Sequence, residues 1–434
     1  MMHAPHEGPL SLRRALGLGA LIAYGVGDIL GAGIYALVGK VVGVAAGAAW
    51  LSFAVAFVVA LLSALSYAEL ARRFPRSAGE AYYCERAFGR AGPALFIGWL
   101  VLCSGLVSMA AVSRAVAGYV GVVLPAGWQP AVILLFFLGL LWLNVRGIHI
   151  SSRANLVCLA VELAGLAIVL AAGAAWLSRA GSAAPPAAPA APVPWTAILQ
   201  GGALAFFAFI GFEDMVNIAE EVRSPQRILP AALLTALSVC GLLYIAVAAV
   251  ATAVVPAPAL ASSSAPLLEV VRTAAPAVPA GLFVVIALFA VTNTALANYV
   301  MASRLVYGLA RQGLIPAWLG AVHALHRTPH RAILALGAAG AALALSGTLT
   351  ALAGATSLLI LGVFAAVNAS LLAVKRRPDD GEPGFSVPGA VPVLGAAASL
   401  GLMAFTPPDA WVPAGVLALC GAVLTAASGA RRRG

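Results

Sequence analysis

Charge is scarce in this sequence. Asp, Glu, Lys and Arg make up 9% of its 434 residues, where a soluble domain carries about 25%. So few charges cannot cover a water-facing surface, and a soluble globular protein is excluded. Acids are the scarcer sign, with 15 Asp and Glu against 25 Lys and Arg and a formal net charge of +10. An excess of basic residues serves nucleic acid when it gathers on one face. Here it falls in alternate loops between apolar runs, so nucleic acid is not an expected partner. The five cysteines (Cys84, Cys103, Cys158, Cys240, Cys420) are scattered, show no metal-ligand spacing and need no disulfide. His323, His326 and His330 share one basic loop without acids or cysteines nearby, so no metal is expected. No phosphate-binding loop, catalytic triad or metalloprotease motif is present. Neither an enzyme nor a cofactor is expected, and energy must come from a gradient or from exchange.

What the chain has instead is apolar length. Hydrophobic residues make up 62% of it, in windows of about 20 that end in charged or Pro/Gly clusters. Twelve spans are expected, at 16–42, 45–70, 92–124, 129–147, 154–177, 195–221, 229–255, 277–311, 331–350, 354–374, 388–406 and 410–429. The first run follows Arg13 and Arg14 but is too long for a signal peptide, so it reads as a retained span. With the N-terminus inside, the inner loops hold nearly all the basic residues and the outer side keeps Lys40, Arg179 and Arg272. That asymmetry predicts a multi-pass protein of the cell (inner) membrane, in contact with the lipid bilayer, with both termini cytoplasmic.

The predicted organisation is a cytoplasmic N-terminus at 1–15 and a five-helix set at 16–177. An extracellular Ala/Pro linker follows at 178–194, then a second five-helix set at 195–374. Two accessory helices and a basic cytoplasmic tail complete it at 375–434. Short interfacial helices are expected near Ser77 to Arg90 and in the outer loop from Pro256 to Pro279.

Two spans are interrupted. Gly25-Val-Gly-Asp-Ile-Leu-Gly-Ala-Gly-Ile-Tyr35 places four glycines in the middle of the first, each costing about 1 kcal/mol of helix stability relative to alanine. Non-helical backbone at membrane depth survives only where it is buried in protein or lines a cavity. The same glycines also suit close helix packing. The sixth span reads Leu204-Ala-Phe-Phe-Ala-Phe-Ile-Gly-Phe-Glu-Asp-Met-Val-Asn217, apolar, then broken around Gly211, then acidic. Breaks at matching positions in two halves point to an inverted-repeat transporter. Freed N–H groups near Ala32, Gly33 and Ile34 suit a carboxylate. Freed carbonyls near Ile29, Phe207, Ala208 and Ile210 suit an ammonium. One site with both features fits an α-amino acid.

These residues resemble the amino acid–polyamine–organocation superfamily of permeases, near the bacterial relatives of cationic amino acid transporters. The resemblance rests on Gly31-Ala-Gly-Ile-Tyr35, Phe74-Pro-Arg-Ser-Ala-Gly-Glu-Ala-Tyr-Tyr83, Phe206 to Glu213 running into Glu220-Glu-Val-Arg-Ser-Pro-Gln-Arg227, and Ser303 to Pro316. It implies an all-α fold of twelve transmembrane helices with a five-plus-five inverted repeat, in which helices 1 and 6 are broken. It also implies secondary active transport of amino acids by alternating access, with Gly31, Ala32 and Gly33 as the carboxylate cradle. Phe207 stands at the position of the aromatic lid, or gate. Some proton-coupled relatives carry a lysine in span five after Gly-x-x-x-Ser-x-Arg-x-Asn. Here Gly147, Ser151, Arg153 and Asn155 keep the pattern, but Glu162 takes the lysine's place.

The proton is therefore the expected coupling ion, with sodium-independent exchange, sodium symport and a non-transporting sensor as alternatives. Glu162, Glu213 and Asp28 are the candidate proton carriers; Glu162 also has a structural reading as an interhelix hydrogen-bond partner, and Asp28 as a helix cap. Asp214 is expected to face a neighbouring helix or water. Ser104, Asn293 and Thr294 are candidate contacts for substrate or ion, beside Ser108 and Asn298. Arg114, inside the third span, is expected to pair with a carboxylate. Glu220, Glu221, Arg223 and Arg227 are expected to form ion pairs at the cytoplasmic end.

Overall fold

The computed structural model describes residues 16–76, 79–122, 124–146, 152–180, 192–311, 315–326, 328–377 and 384–431. The expected N-terminus at 1–15, most of the Ala/Pro linker, and Gly147 and Ser151 of the span-five pattern lie outside the described residues.

Long runs without charge form helices because a helix satisfies its own backbone groups where water cannot. In chain order these are α1 (Leu18–Ile29), α2 (Ala32–Ala45), α3 (Ala49–Arg73), α4 (Gly79–Phe88), α5 (Ala91–Val120), α6 (Gln129–Val145), α7 (Ser152–Ala180) and α8 (Trp195–Ala205). Two 3₁₀ segments, Phe206–Phe209 and Phe212–Glu221, follow α8. Then come α9 (Pro225–Val254), α10 (Ala257–Ser262), α11 (Pro266–Ala274), α12 (Ala280–Arg311), α13 (His330–Ser346), α14 (Leu349–Lys375), α15 (Ala390–Met403) and α16 (Pro408–Arg431).

Among the described residues, eight helical stretches are long and apolar enough to cross a membrane, and four shorter apolar helices, α1, α6, α13 and α15, accompany them. The chain is an all-helical multi-pass membrane protein. The loop after α3 holds the short helix α4, and the loop between α9 and α12 holds two, α10 and α11.

The core lies where α3, α5, α9, α12 and α14 meet, and α16 turns Val412, Val416, Leu419 and Val423 outward. Polar clasps join the buried helices. Asn368 of α14 accepts from the Ser66 hydroxyl (2.7 Å) and donates to Ser63 Oγ (3.1 Å), both on α3. At the end of α3 the fully buried Glu69 accepts from Arg73 (2.8 Å), from Lys375 of α14 (2.8 Å) and from the Val387 N–H (2.8 Å). Nearby, the Tyr67 hydroxyl donates to Glu80 of α4 (3.2 Å). Burial pushes the Glu80 carboxyl up to about 8, so it is neutral at pH 7.

Glu69 joins three segments through one carboxylate, and neutralising it takes the counter-charge from Arg73 and Lys375 at this node. Glu69→Gln should cost on the order of 3 kcal/mol, read as a lowered melting temperature of the purified protein in detergent. An unchanged melting temperature would show that this node is dispensable.

Candidate functional site

α1 stops at Ile29 because the next two residues leave the helix. Leu30 is extended, and Gly31 sits at φ 132°, a conformation that a side chain rarely adopts. A Cβ on Gly31 would also meet the Thr294 hydroxyl of α12. α2 then begins, and the Ala32 N–H points at Thr294 Oγ1 (3.4 Å). The second break repeats the device. Ile210 is extended, and Gly211 lies at φ 126° between the two 3₁₀ segments.

The two breaks lock into each other. A Cβ on Gly211 would come 2.8 Å from the Asp28 carbonyl oxygen, and one on Gly33 would collide with Ala208. The space at Gly33 is therefore filled largely by the partner break, a role the sequence does not display. Tyr244 of α9 donates to the Ile29 carbonyl (2.7 Å), and Ile210 donates weakly to the Phe207 carbonyl (3.4 Å). Each of these carbonyls keeps a second lone pair.

Between the breaks lies a small cavity. Asp28, Ile29, Ala32, Gly33, Phe207 and Ile210 line it together with Gly211, Asp214, Ser108, Thr294 and Asn298. It leaves about 20 Å³ for the centre of a water-sized sphere, room for a water or two. Among the described residues, no lysine, arginine or histidine is part of its lining. One wall is the α2 N-terminus, whose N–H groups attract anions. Another is carbonyl-rich, and a third is polar, where Asn298 donates to Ser108 Oγ (3.2 Å).

Several residues named from the sequence lie elsewhere. Ala208 packs on Gly33, and Ile34 is fully buried outside the lining. The Ser104 hydroxyl bonds back to the Val101 carbonyl (2.8 Å), which leaves Ser108, one turn on, at the cavity. Asn293 instead donates to Glu162 Oε1 (3.3 Å). Glu162 is wholly buried and outside the lining, and its Oε2 has no hydrogen-bond partner among the described residues. Glu213 accepts from the Gly211 N–H (2.9 Å) and so caps its own break.

Asp214 reaches the lining, contrary to the reading that turned it toward a neighbouring helix or water. The segment is 3₁₀, and three residues per turn stack Asp214 over Gly211. Arg114 donates to the Ala344 carbonyl (2.8 Å) rather than to the expected carboxylate. That carbonyl lies in the last turn of α13, where no intrahelical donor remains. At the expected ion-pair segment, backbone bonds join the chain to Leu16. Leu16 donates to the Glu221 carbonyl (3.0 Å) and accepts from the Arg223 N–H (2.9 Å).

Comparison with known proteins bears on this arrangement. Residues 16–431 match a family model described as amino acid permease. A branched-chain amino acid permease of Bacillus subtilis is 29% identical over 92% of this chain and 88% of its own length. An uncharacterized transporter of Mycobacterium tuberculosis is 34% identical over 99% of this chain and 93% of its own. A vacuolar cationic amino acid transporter of Arabidopsis thaliana is 30% identical over 87% of this chain and 66% of its own. With the family's match running through both breaks and every helix between them, the chain belongs to the amino acid permeases of the amino acid–polyamine–organocation superfamily.

Proposed function

We propose that this protein is a secondary active transporter that carries amino acids across the cell membrane by alternating access, coupled to protons. The observation that carries the reading is the meeting of two broken helices at one small polar cavity. The N–H groups of Ala32, Gly33 and Ile34 hold the substrate carboxylate. The carbonyls of Ile29, Phe207, Ala208 and Ile210 receive its ammonium, and the Phe207 ring closes over it. The cavity is too small for an amino acid as it stands, so loading requires the helices around it to separate.

In this reading the helices make twelve spans. α1 with α2, α3, α5, α6 and α7 form one set of five. α8 with its 3₁₀ segments, α9, α12, α13 and α14 form the second, and α15 and α16 are accessory. Each set opens on a broken helix. Both termini face the cytoplasm, on the side that the basic loops mark.

A coupling group must reach water from each side in turn. Asp28 borders the cavity, and its Oδ2 has no hydrogen-bond partner among the described residues. Glu162 is sealed and bonded to Asn293, and Glu213 is occupied by Gly211. Asp28 is therefore the proton carrier in this account, and Glu162 supports α12. Sodium-independent exchange is the second reading, favoured by the buried, hydrogen-bonded setting of Glu162.

Uptake of labelled amino acids into proteoliposomes tests the function. An inside-alkaline pH gradient without sodium should drive accumulation that an ionophore collapses. Uptake only into amino acid-loaded vesicles would make the protein an exchanger. Gly33→Val should lower uptake at least a hundredfold, since the new side chain collides with Ala208; wild-type uptake would overturn the site. Asp28→Asn should remove the dependence of uptake on the pH gradient while Glu162→Gln keeps it. The reverse pattern would move the proton to Glu162.

A further inference from the structure

The broken helices account for only part of the cavity wall. Ser108 of α5, with Thr294 and Asn298 of α12, supplies a third side. A serine inside an apolar helix commonly spends its hydroxyl on its own backbone, and α5 shows this twice. Ser104 donates to the Val101 carbonyl (2.8 Å) and Ser113 to the Ala110 carbonyl (2.8 Å). Ser108 lies between them, is buried, and makes no such bond among the described residues. Its Oγ accepts from Asn298 (3.2 Å), which leaves the hydroxyl hydrogen to give.

Asn298 is its complement. The amide donates to Ser108, and Oδ1 accepts no hydrogen bond among the described residues. Thr294, one turn earlier on α12, is spent on backbone instead. Its Oγ1 meets the Ala32 N–H (3.4 Å) and donates to the Ala290 carbonyl (3.4 Å). Behind the pair the wall is closed. A Cβ on Gly105, one turn before Ser108, would meet the Met301 methyl group at 3.1 Å and Asn298 Oδ1 at 3.7 Å. One donor and one acceptor therefore stand together in a shallow recess that ends at Met301.

In the transport reading, the main chain of the substrate uses the other two sides. Its carboxylate sits at the α2 N-terminus and its ammonium at the carbonyls of the breaks. Asp28 and Asp214 belong to those sides as well, and Asp214 accepts from Asn217. The side chain is left to face Ser108 and Asn298. We propose that this pair selects the substrate by its side chain, favouring short side chains that end in a hydroxyl, those of serine and threonine, over apolar and charged ones. The proposal rests on the transport reading above and names the substrate class of that same site.

Selection follows from matched hydrogen bonds. The substrate hydroxyl accepts from the Ser108 O–H and donates to Asn298 Oδ1, so every polar group of the recess is paired when the cavity closes. Alanine fits the recess but leaves the Ser108 hydrogen and the Asn298 oxygen unpaired. Leucine adds to that loss the bulk of an isobutyl group against Met301. Lysine brings an ammonium to a hydroxyl and an amide, neither of which carries the charge to replace its water.

Uptake of labelled serine, threonine, alanine, leucine and lysine into proteoliposomes tests the selection. It is driven once by a pH gradient and once by exchange against internal amino acid, so the result does not depend on how transport is energised. Uptake at equal low concentration should favour serine over alanine by about tenfold, and over leucine and lysine by about a hundredfold. Ser108→Ala and Asn298→Ala should each bring the serine-to-alanine ratio below about threefold. Ser108→Thr keeps the hydroxyl and should keep the preference. The ratio is taken within one preparation, so a lower yield of a variant does not change it. Should no variant reach the membrane, thermal unfolding of the wild-type protein in detergent decides, and serine should raise the melting temperature at lower concentration than alanine or leucine does. A preference for leucine or lysine over serine would overturn the proposal. So would a wild-type serine-to-alanine ratio in Ser108→Ala or Asn298→Ala, or stabilisation by leucine at lower concentration than by serine. Each of those results leaves amino acid transport itself standing, whereas a failure of the wild-type protein to move any of the five probes by either drive would remove the transport reading instead.

Discussion

Backbone hydrogen bonding inside a membrane leaves no slack. A peptide group there that loses its helical partner costs several kcal/mol unless protein or trapped water replaces the bond. This chain interrupts two helices at Gly31 and Gly211, and everything nearby answers that constraint. Thr294 meets the Ala32 N–H, Tyr244 meets the Ile29 carbonyl, and Glu213 meets the Gly211 N–H. The groups still open face the cavity, which in the transport reading is where a substrate carboxylate and ammonium complete the set.

Glycine makes the geometry available and packing makes it unique. Gly31 and Gly211 supply backbone angles that other residues resist, and each leaves space that a side chain would close. The contacts between Gly211 and Asp28, and between Gly33 and Ala208, place one break against the other. Displacing either helix therefore disturbs both. Around them the Glu69 node and the Asn368 clasp hold α3 to α14 at two levels. In the transport reading, such a framework lets the two breaks move beside neighbours that stay fixed, as alternating access requires.

Much of this was legible in the sequence, because glycine in an apolar run and acid after a break are strong signals. Gly31, Gly33 and Gly211 marked the interruptions, and the residues flanking them line the cavity or pack beside it. Side-chain direction was not legible. Asp214 depends on a 3₁₀ turn that no residue announces, and the choice between Ser104 and Ser108 depends on the rotation of α5. Arg114 found a helix-end carbonyl because α13 happens to end beside it, a fact of tertiary packing alone. Glu162 was legible as an acid in an apolar run, yet its bond with Asn293 and its exclusion from the cavity follow from the packing of α7.

A structure determined with a bound amino acid tests the central claim most directly. The account predicts density between the two breaks, with the carboxylate at the N–H groups of Ala32, Gly33 and Ile34 and the ammonium at the carbonyls that follow Phe207. Density seated elsewhere in the helix bundle, with the cavity between Gly31 and Gly211 still closed, would contradict it.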